Sequence, residues 1–297
     1  MLESTYLVFG NILQLYWLQA PVIIGFALLF TVMAAFDGQA SSPGKYWWRN
    51  PGLVTDTSYF LVHTLVSQYF RLPVMILFIF LLSRTMSPAE IDDYFQNGRG
   101  PFASLPLVVQ GVIYLVGSDF LLYWIHRTFH RSGAWRFHAI HHSAKQVDWT
   151  TAFRFHPVNL MFQSSGVLAL MICLGIRPEV IAVVGVFDTF LAVWQHSNSK
   201  WTLGPLKYVI ATPVFHRWHH TMSDEGGNMN FAPTFAFWDW MFGTYYMPEG
   251  KLPQVFGVDD DSVDEGYLRQ LIYPFKPMLE GLRKPFADKA PEPPGSK

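Results

Sequence analysis

Eleven histidines stand in 297 residues, and six of them form two copies of one signature. His138, His141 and His142 make the first copy; His216, His219 and His220 make the second. A looser pair, His126 and His130, precedes the first copy. Imidazoles at i, i+3 and i+4 share one face of a helix. Neutral imidazole is the commonest protein ligand for metals such as Zn, Cu, Fe and Ni, so the spacing points to metal chemistry. A lone histidine is more often a solvated or capping residue, and a pH-responsive surface can collect several. Neither of those readings needs the same spacing twice.

Asp119, Tyr123, His126 and His130 stand at i, i+4, i+7 and i+11, one continuous helical stripe. Polar groups facing lipid are costly, so that stripe should face protein or a site. Asp119 is a candidate acceptor for the free N–H of a ligand imidazole, or else the partner of an arginine near the interface. Tyr123 and Asn198 are candidates for the same supporting role. His196, in Trp194-Gln195-His196-Ser197-Asn198, and His156, before Pro157, join the ligand candidates through their clustered neighbours. His63 stands alone and is not expected to ligate.

Eight to ten imidazoles exceed one metal, because zinc sites take four protein ligands or fewer. Two metals with four or five nitrogens each, plus open positions, fit the count. No His-Glu-x-x-His helix points to a zincin protease. No paired Glu-x-x-His motifs point to a ferritin-like carboxylate site. A nitrogen-rich pair of redox metals at a membrane face suits oxygen activation on an apolar substrate.

The elements that must position these residues are apolar. Hydrophobic residues make up 51% of the chain and charged residues 14%, well below the roughly 25% charged of soluble domains. Aromatics at 17% suit lipid-facing surfaces and interfacial anchors. The net charge of −1 gives no support to nucleic-acid binding. Cys173 is the sole cysteine and reads as an apolar packing residue. Met1-Leu2-Glu3-Ser4 lacks a basic region before the first apolar stretch, so no cleavable signal peptide is expected.

Four apolar regions stand out: 22–36, with a possible extension back through 13–19, then 53–83, 105–124 and 161–194. The region 53–83 reads as one bent helix or a re-entrant pair. The last region exceeds one span and breaks at Gly175-Ile176-Arg177-Pro178-Glu179, so it reads as a hairpin of two short spans. Parity supports the hairpin: both histidine clusters reach one membrane face only if an even number of crossings separates them. Arg127, Arg131, Arg136, Lys145 and Arg154 follow the third region, whereas 84–100 carries two arginines against three acids. The positive-inside rule then places the histidines in the cytoplasm.

The expected fold is an all-α integral membrane bundle of about four to five spanning helices, one a hairpin, capped by a cytosolic histidine-rich region. Residues 1–125 supply the N-terminal transmembrane helices. Residues 126–282 form the catalytic region with its hairpin at about 158–195, and 283–297 is a disordered tail rich in Pro, Ala and Lys. All of these make one functional domain.

The run from Asp119 to Arg127, then His130, His138-x-x-His141-His142-Ser143 and Arg154-Phe155-His156-Pro157, resembles the fatty acid hydroxylase/sterol desaturase superfamily. The match continues through His196-Ser197-Asn198, His216-x-x-His219-His220 and the stretch from Phe237 to Tyr245, and covers about residues 115–247. The resemblance implies a membrane-bound di-iron oxygenase that hydroxylates or desaturates a lipid with O2 and two external electrons. It implies His126, His130, His138, His141, His142, His196, His216, His219 and His220 as metal ligands, with His156 as a tenth. Two Fe ions are the implied cofactors, with Zn as a substitute. Two positions depart from the family pattern: Asn159, where an acid is common, and Ala232, where glycine follows Asn-Tyr or Asn-Phe.

The implied partners are a lipid from the bilayer, O2 and a separate electron-donor reductase. No Gly-rich dinucleotide fingerprint or cysteine cluster supplies electrons within the chain. The end Pro294-Gly295-Ser296-Lys297 carries no Lys-Lys retrieval signal, which favours a bacterial inner membrane over the endoplasmic reticulum. The alternatives are a zinc-dependent membrane lipid hydrolase and a metal transporter or sensor.

Overall fold

The computed structural model describes residues 20–36, 46–259, 263 and 265–278. The expected tail at 283–297 and the extension through 13–19 lie outside the described residues. Helix α1 covers Ala20–Phe36. It is followed by α2 (Leu53–Val66), α3 (Leu72–Leu82), α4 (Pro88–Asn97), α5 (Leu107–Arg131), α6 (Trp135–His142), α7 (Pro157–Leu174), α8 (Pro178–His196), α9 (Pro213–His219), α10 (Phe237–Met241) and α11 (Tyr267–Ile272). Among the described residues there is no strand, only an isolated bridge between Thr221 and Phe256.

Helices α5, α7 and α8 are each long and apolar enough to cross a membrane. The pair α2 and α3, bent by 59° at its break, makes a fourth if counted as one span. This is the 53–83 region, and a 3-10 turn at Ser67–Arg71 causes the bend. The described part of α1 is shorter than these spans. Exposed apolar side chains on α3 and α8, among them Ile76, Phe80, Val183 and Val186, suit contact with lipid rather than water.

Local signals set the helix ends. Ser87 and Glu90 close a reciprocal capping box at the start of α4. Proline occupies the first turn of α7, α8 and α9, where its missing N–H is no loss. The hairpin turns at Gly175, which adopts φ +63°. A Cβ there would also meet the Arg99 carbonyl oxygen at 1.9 Å, so only glycine fits. Within the bundle, α5 packs on α7 and α8. Gly166 brings α7 close enough that a Cβ would meet Ile125 at 3.1 Å. Small residues of this kind matter in lipid, where close packing replaces the hydrophobic drive between helices.

Parity holds in the structure. His130 lies in the last turn of α5, α6 follows at the same end, α7 leaves from it, and α8 returns to it at His196. One buried ion pair fixes the broken span to this end. The Arg154 Nε donates to Asp56 Oδ1 at 2.6 Å, and both side chains are buried. The same guanidinium donates to the Gly52 carbonyl at 3.3 Å and to Glu265 at 3.2 Å. Removing one member leaves an uncompensated buried charge, which costs about 3–5 kcal/mol. Asp56→Ala is therefore expected to lower the apparent Tm of the detergent-solubilised protein strongly. Glu179→Gln, which breaks the exposed pair with Arg177, should shift stability by about 1 kcal/mol or less. Equal effects of the two would contradict this ranking.

Candidate metal centre

Nine of the eleven histidines converge at the shared end of α5 and α8. They divide into a group of five, His126, His130, His138, His142 and His219, and a group of four, His141, His196, His216 and His220. Within each group the candidate ligand atoms all lie within 4.8 Å of one another. The two signatures interleave. In each helix the residues at i and i+4 enter one group, and the residue at i+3 enters the other.

The tautomers decide whether metals fit. A carbonyl oxygen only accepts, so a ring nitrogen bonded to one carries the proton. His126 Nδ1 donates to the Phe231 carbonyl at 2.7 Å and His219 Nδ1 to the Met229 carbonyl at 2.6 Å. Both Nε2 atoms are then bare lone pairs, yet they face each other at 2.9 Å. The group of four repeats this. His141 Nδ1 donates to the Arg154 carbonyl at 3.1 Å and His196 Nδ1 to the Ala192 carbonyl at 2.6 Å, while their Nε2 atoms stand 3.2 Å apart. Facing lone pairs repel, and a cation between them removes the repulsion. Burial also holds His138, His141, His142, His216, His219 and His220 well below the ordinary imidazole pKa, so the rings are neutral and able to ligate. The donor set fits two metal ions.

The acceptors are themselves held. Asp239 accepts from the Phe231 and Ala232 amides, each at 2.8 Å, and from the Thr244 hydroxyl at 2.6 Å. Burial pushes its carboxyl up to about 7, against the pull of those donors. Asn230, at φ +61°, cross-links the same loop to the Phe215 and Tyr246 carbonyls. Asn159 Oδ1 accepts from His138 Nδ1 at 2.8 Å, so the amide at this departure from the family pattern still holds a ring. Asn228 Oδ1 lies 3.3 Å from His130 Nδ1.

Not every expected residue joins the set. His156 belongs to neither group. Its Nδ1 accepts from the Val158 amide at the start of α7, and its Nε2 lies 3.3 Å from the Leu271 carbonyl. Its position as a helix cap turns the ring away from the other nine. His63 also stands apart. Asp119 touches no imidazole: it accepts from the Thr234 and Phe235 amides and the Trp238 indole at 2.7–3.0 Å. It lies seven residues, about 10 Å, along α5 from His126, level with the loop rather than with the rings. The Tyr123 hydroxyl pairs with Thr244 at 2.9 Å and receives Arg127 at 2.8 Å. Asn198 is half-buried, two residues past α8. Of the five basic residues behind the orientation argument, Arg154 is fully buried and Arg127 half-buried, which leaves Arg131, Arg136 and Lys145 exposed.

Two cavities reach the histidines. One of about 430 Å³ lies between α5, α7, α8 and the break of the α2–α3 pair, and touches His126, His138, His141, His196 and His216. Apolar residues such as Phe70, Leu122, Leu160, Val167 and Ile181 contribute to its wall. A second, of about 250 Å³, reaches His130 and His142 beside Asn228 and Asp259.

The loop contacts generate an expectation. Asp239→Ala frees the amides that aim the Phe231 carbonyl at His126. Losing such an outer hydrogen bond lowers metal affinity about 10–100-fold. Metal titration should show one ion released before the other, and unchanged affinity at both sites would show that the carbonyls are held without Asp239.

Comparison with known proteins agrees with the geometry. The fatty acid hydroxylase family profile matches residues 111–244. An ornithine lipid hydroxylase from Rhizobium tropici is 33% identical over 171 residues, 57% of this chain and 51% of that protein. An alkylglycerol monooxygenase from Xenopus tropicalis is 36% identical over 138 residues, 46% of this chain and 30% of that one. A very-long-chain aldehyde decarbonylase from Oryza sativa subsp. indica is 26% identical over 208 residues, 66% of this chain and 29% of that protein. The chain thus spans from under a third to about half of the length of these relatives. No solved structure matches it. The region 111–244 that matches the fatty acid hydroxylase family profile holds all nine converging histidines.

Proposed function

We propose that the protein is a membrane-bound di-iron oxygenase acting on an aliphatic C–H bond of a lipid. The facing Nε2 lone pairs in both groups carry this reading, because they call for two cations side by side. Five imidazoles in one group exceed the four-ligand habit of zinc. His126, His130, His138, His142 and His219 would hold one ion; His141, His196, His216 and His220 would hold the other. When bound, the ions supply activation of dioxygen with external electrons.

The chain's own residues do the rest. The 430 Å³ cavity receives an alkyl chain and brings one carbon up to the histidine face. The apolar residues of its wall exclude water from the alkyl chain, and its shape selects which carbon is presented. The Phe231, Met229, Arg154 and Ala192 carbonyls keep the Nε2 atoms aimed inward. The names of the relatives, lipid hydroxylase and alkylglycerol monooxygenase, support a lipid substrate. Dioxygen is the proposed oxidant and a separate reductase the proposed electron donor, since the only cysteine, Cys173, offers no iron–sulfur cluster. Exposed Arg131, Arg136 and Lys145 support a cytoplasmic histidine face. A bacterial inner membrane is the proposed location, and 1–125, 126–282 and 283–297 act as one functional unit.

The purified protein is expected to hold two iron ions per chain and to place oxygen-18 from labelled dioxygen into a membrane lipid. His141→Ala and His219→Ala, one from each group, should each abolish labelling while the protein stays in the membrane. Lipid turnover under strict anaerobiosis would sink this reading in favour of a zinc hydrolase. Metal movement across vesicles without lipid turnover would favour a transporter.

A further inference from the structure

Of three aspartate or arginine side chains that line the cavity outside the histidine groups, Asp119 is held by the Thr234 and Phe235 amides and the Trp238 indole, and two remain. Arg71 lies at the break between α2 and α3, and Asp188 lies near the middle of α8; both line the 430 Å³ cavity. Arg71 is exposed and Asp188 half-buried. Among the described residues neither side chain has a hydrogen bond or an ion pair, so they are not paired with each other. Ionisable side chains within spanning segments are expensive and usually serve a pathway or a ligand.

We propose that Arg71 and Asp188 form a recognition subsite for the polar head of a zwitterionic lipid. Asp188 would receive a protonated amine, and Arg71 an acidic group, carboxylate or phosphate. A guanidinium fork suits either oxyanion. The inference rests on the lipid-oxygenase reading for what happens at the other end of the cavity. Asp188 stands eight residues before His196, about 12 Å along the helix. The head and the carbon brought to the histidines are therefore separate points on one ligand. Oxidation falls along the chain and not at the head.

Binding tests this independently of turnover. The metal-loaded protein in nanodiscs is titrated with four probes of oleoyl chain: acyl-lysine (amine and carboxylate), phosphatidylethanolamine (amine and phosphate), phosphatidylglycerol (acid alone) and diacylglycerol (uncharged). At least one amine-bearing probe should bind tenfold or more tightly than phosphatidylglycerol and diacylglycerol, and which one does so identifies the acid. Asp188→Asn should collapse the preference over phosphatidylglycerol. Arg71→Gln should collapse the preference over diacylglycerol. Asp188→Glu, which keeps the charge, should retain it. Wild-type affinities within twofold of one another, or variants that weaken all four probes alike, would overturn the subsite. Oxygen-18 incorporation is read separately. Its absence beside an intact binding preference would sink the oxygenase reading and leave the subsite standing.

Discussion

The structure depends on one repeated contact, the Nδ1–H of an imidazole donating to a backbone carbonyl. Four of the nine converging rings are held this way, by the Phe231, Met229, Arg154 and Ala192 carbonyls. Each contact fixes a tautomer and aims the opposite nitrogen inward. Without it a neutral ring could offer an N–H to its neighbour and the cluster would satisfy itself. With it, lone pairs meet lone pairs, and the cluster is completed only by positive charge. The proposed metal affinity would therefore reside in the backbone around the rings as much as in the rings.

That requirement explains the polar groups buried around the site. A carbonyl is a precise acceptor only if its loop does not move. The 229–235 loop is clamped from two directions, by Asp239 through the Phe231 and Ala232 amides and by Asp119 through the Thr234 and Phe235 amides. Each carboxylate occupies a site where burial is costly and offsets that cost with several donors. On the opposite side, the Arg154 side chain ties its segment to Asp56 on α2 while its carbonyl holds His141. The membrane helices and the metal centre are thus coupled through hydrogen bonds as well as through packing.

Much of this was legible in the residues, and the limits have physical reasons. Eight of the nine histidines announced themselves by spacing and His196 by its clustered neighbours, and the turn at Gly175 and Pro178 announced the hairpin. What spacing does not carry is the direction of a side chain at a chain break. His156 sits among the same motifs as the ligands, but a proline after it makes it the cap of α7, and a cap turns back on its own helix. Asp119 shares a stripe with His126 and His130, yet a stripe specifies a face and not a height. At its height the face meets the Thr234 and Phe235 amides and the Trp238 indole at the start of α10. Asp239 lies inside the stretch Phe237 to Tyr245 but was not singled out there, because its partners are two backbone amides and the Thr244 hydroxyl, which no sequence pattern names.

The doubled signature has a geometric logic that one metal site would not require. At about 100° per residue, positions i and i+4 lie about 40° apart on a helix, while i+3 lies about 60° to the other side of i. The pair His138 and His142 therefore aims at one point and His141 at another, as do His216 and His220 against His219. Two such helices placed together supply a pair to each point and cross a single ring to the other. His126 and His130, again at i and i+4, and His196 fill the remaining places. No group is built from one helix alone: the group of five needs α5, α6 and α9, and the group of four needs α6, α8 and α9. The spacing that first suggests metal binding is the spacing that two adjacent ions demand. It also makes the centre a product of the whole membrane fold rather than of either motif.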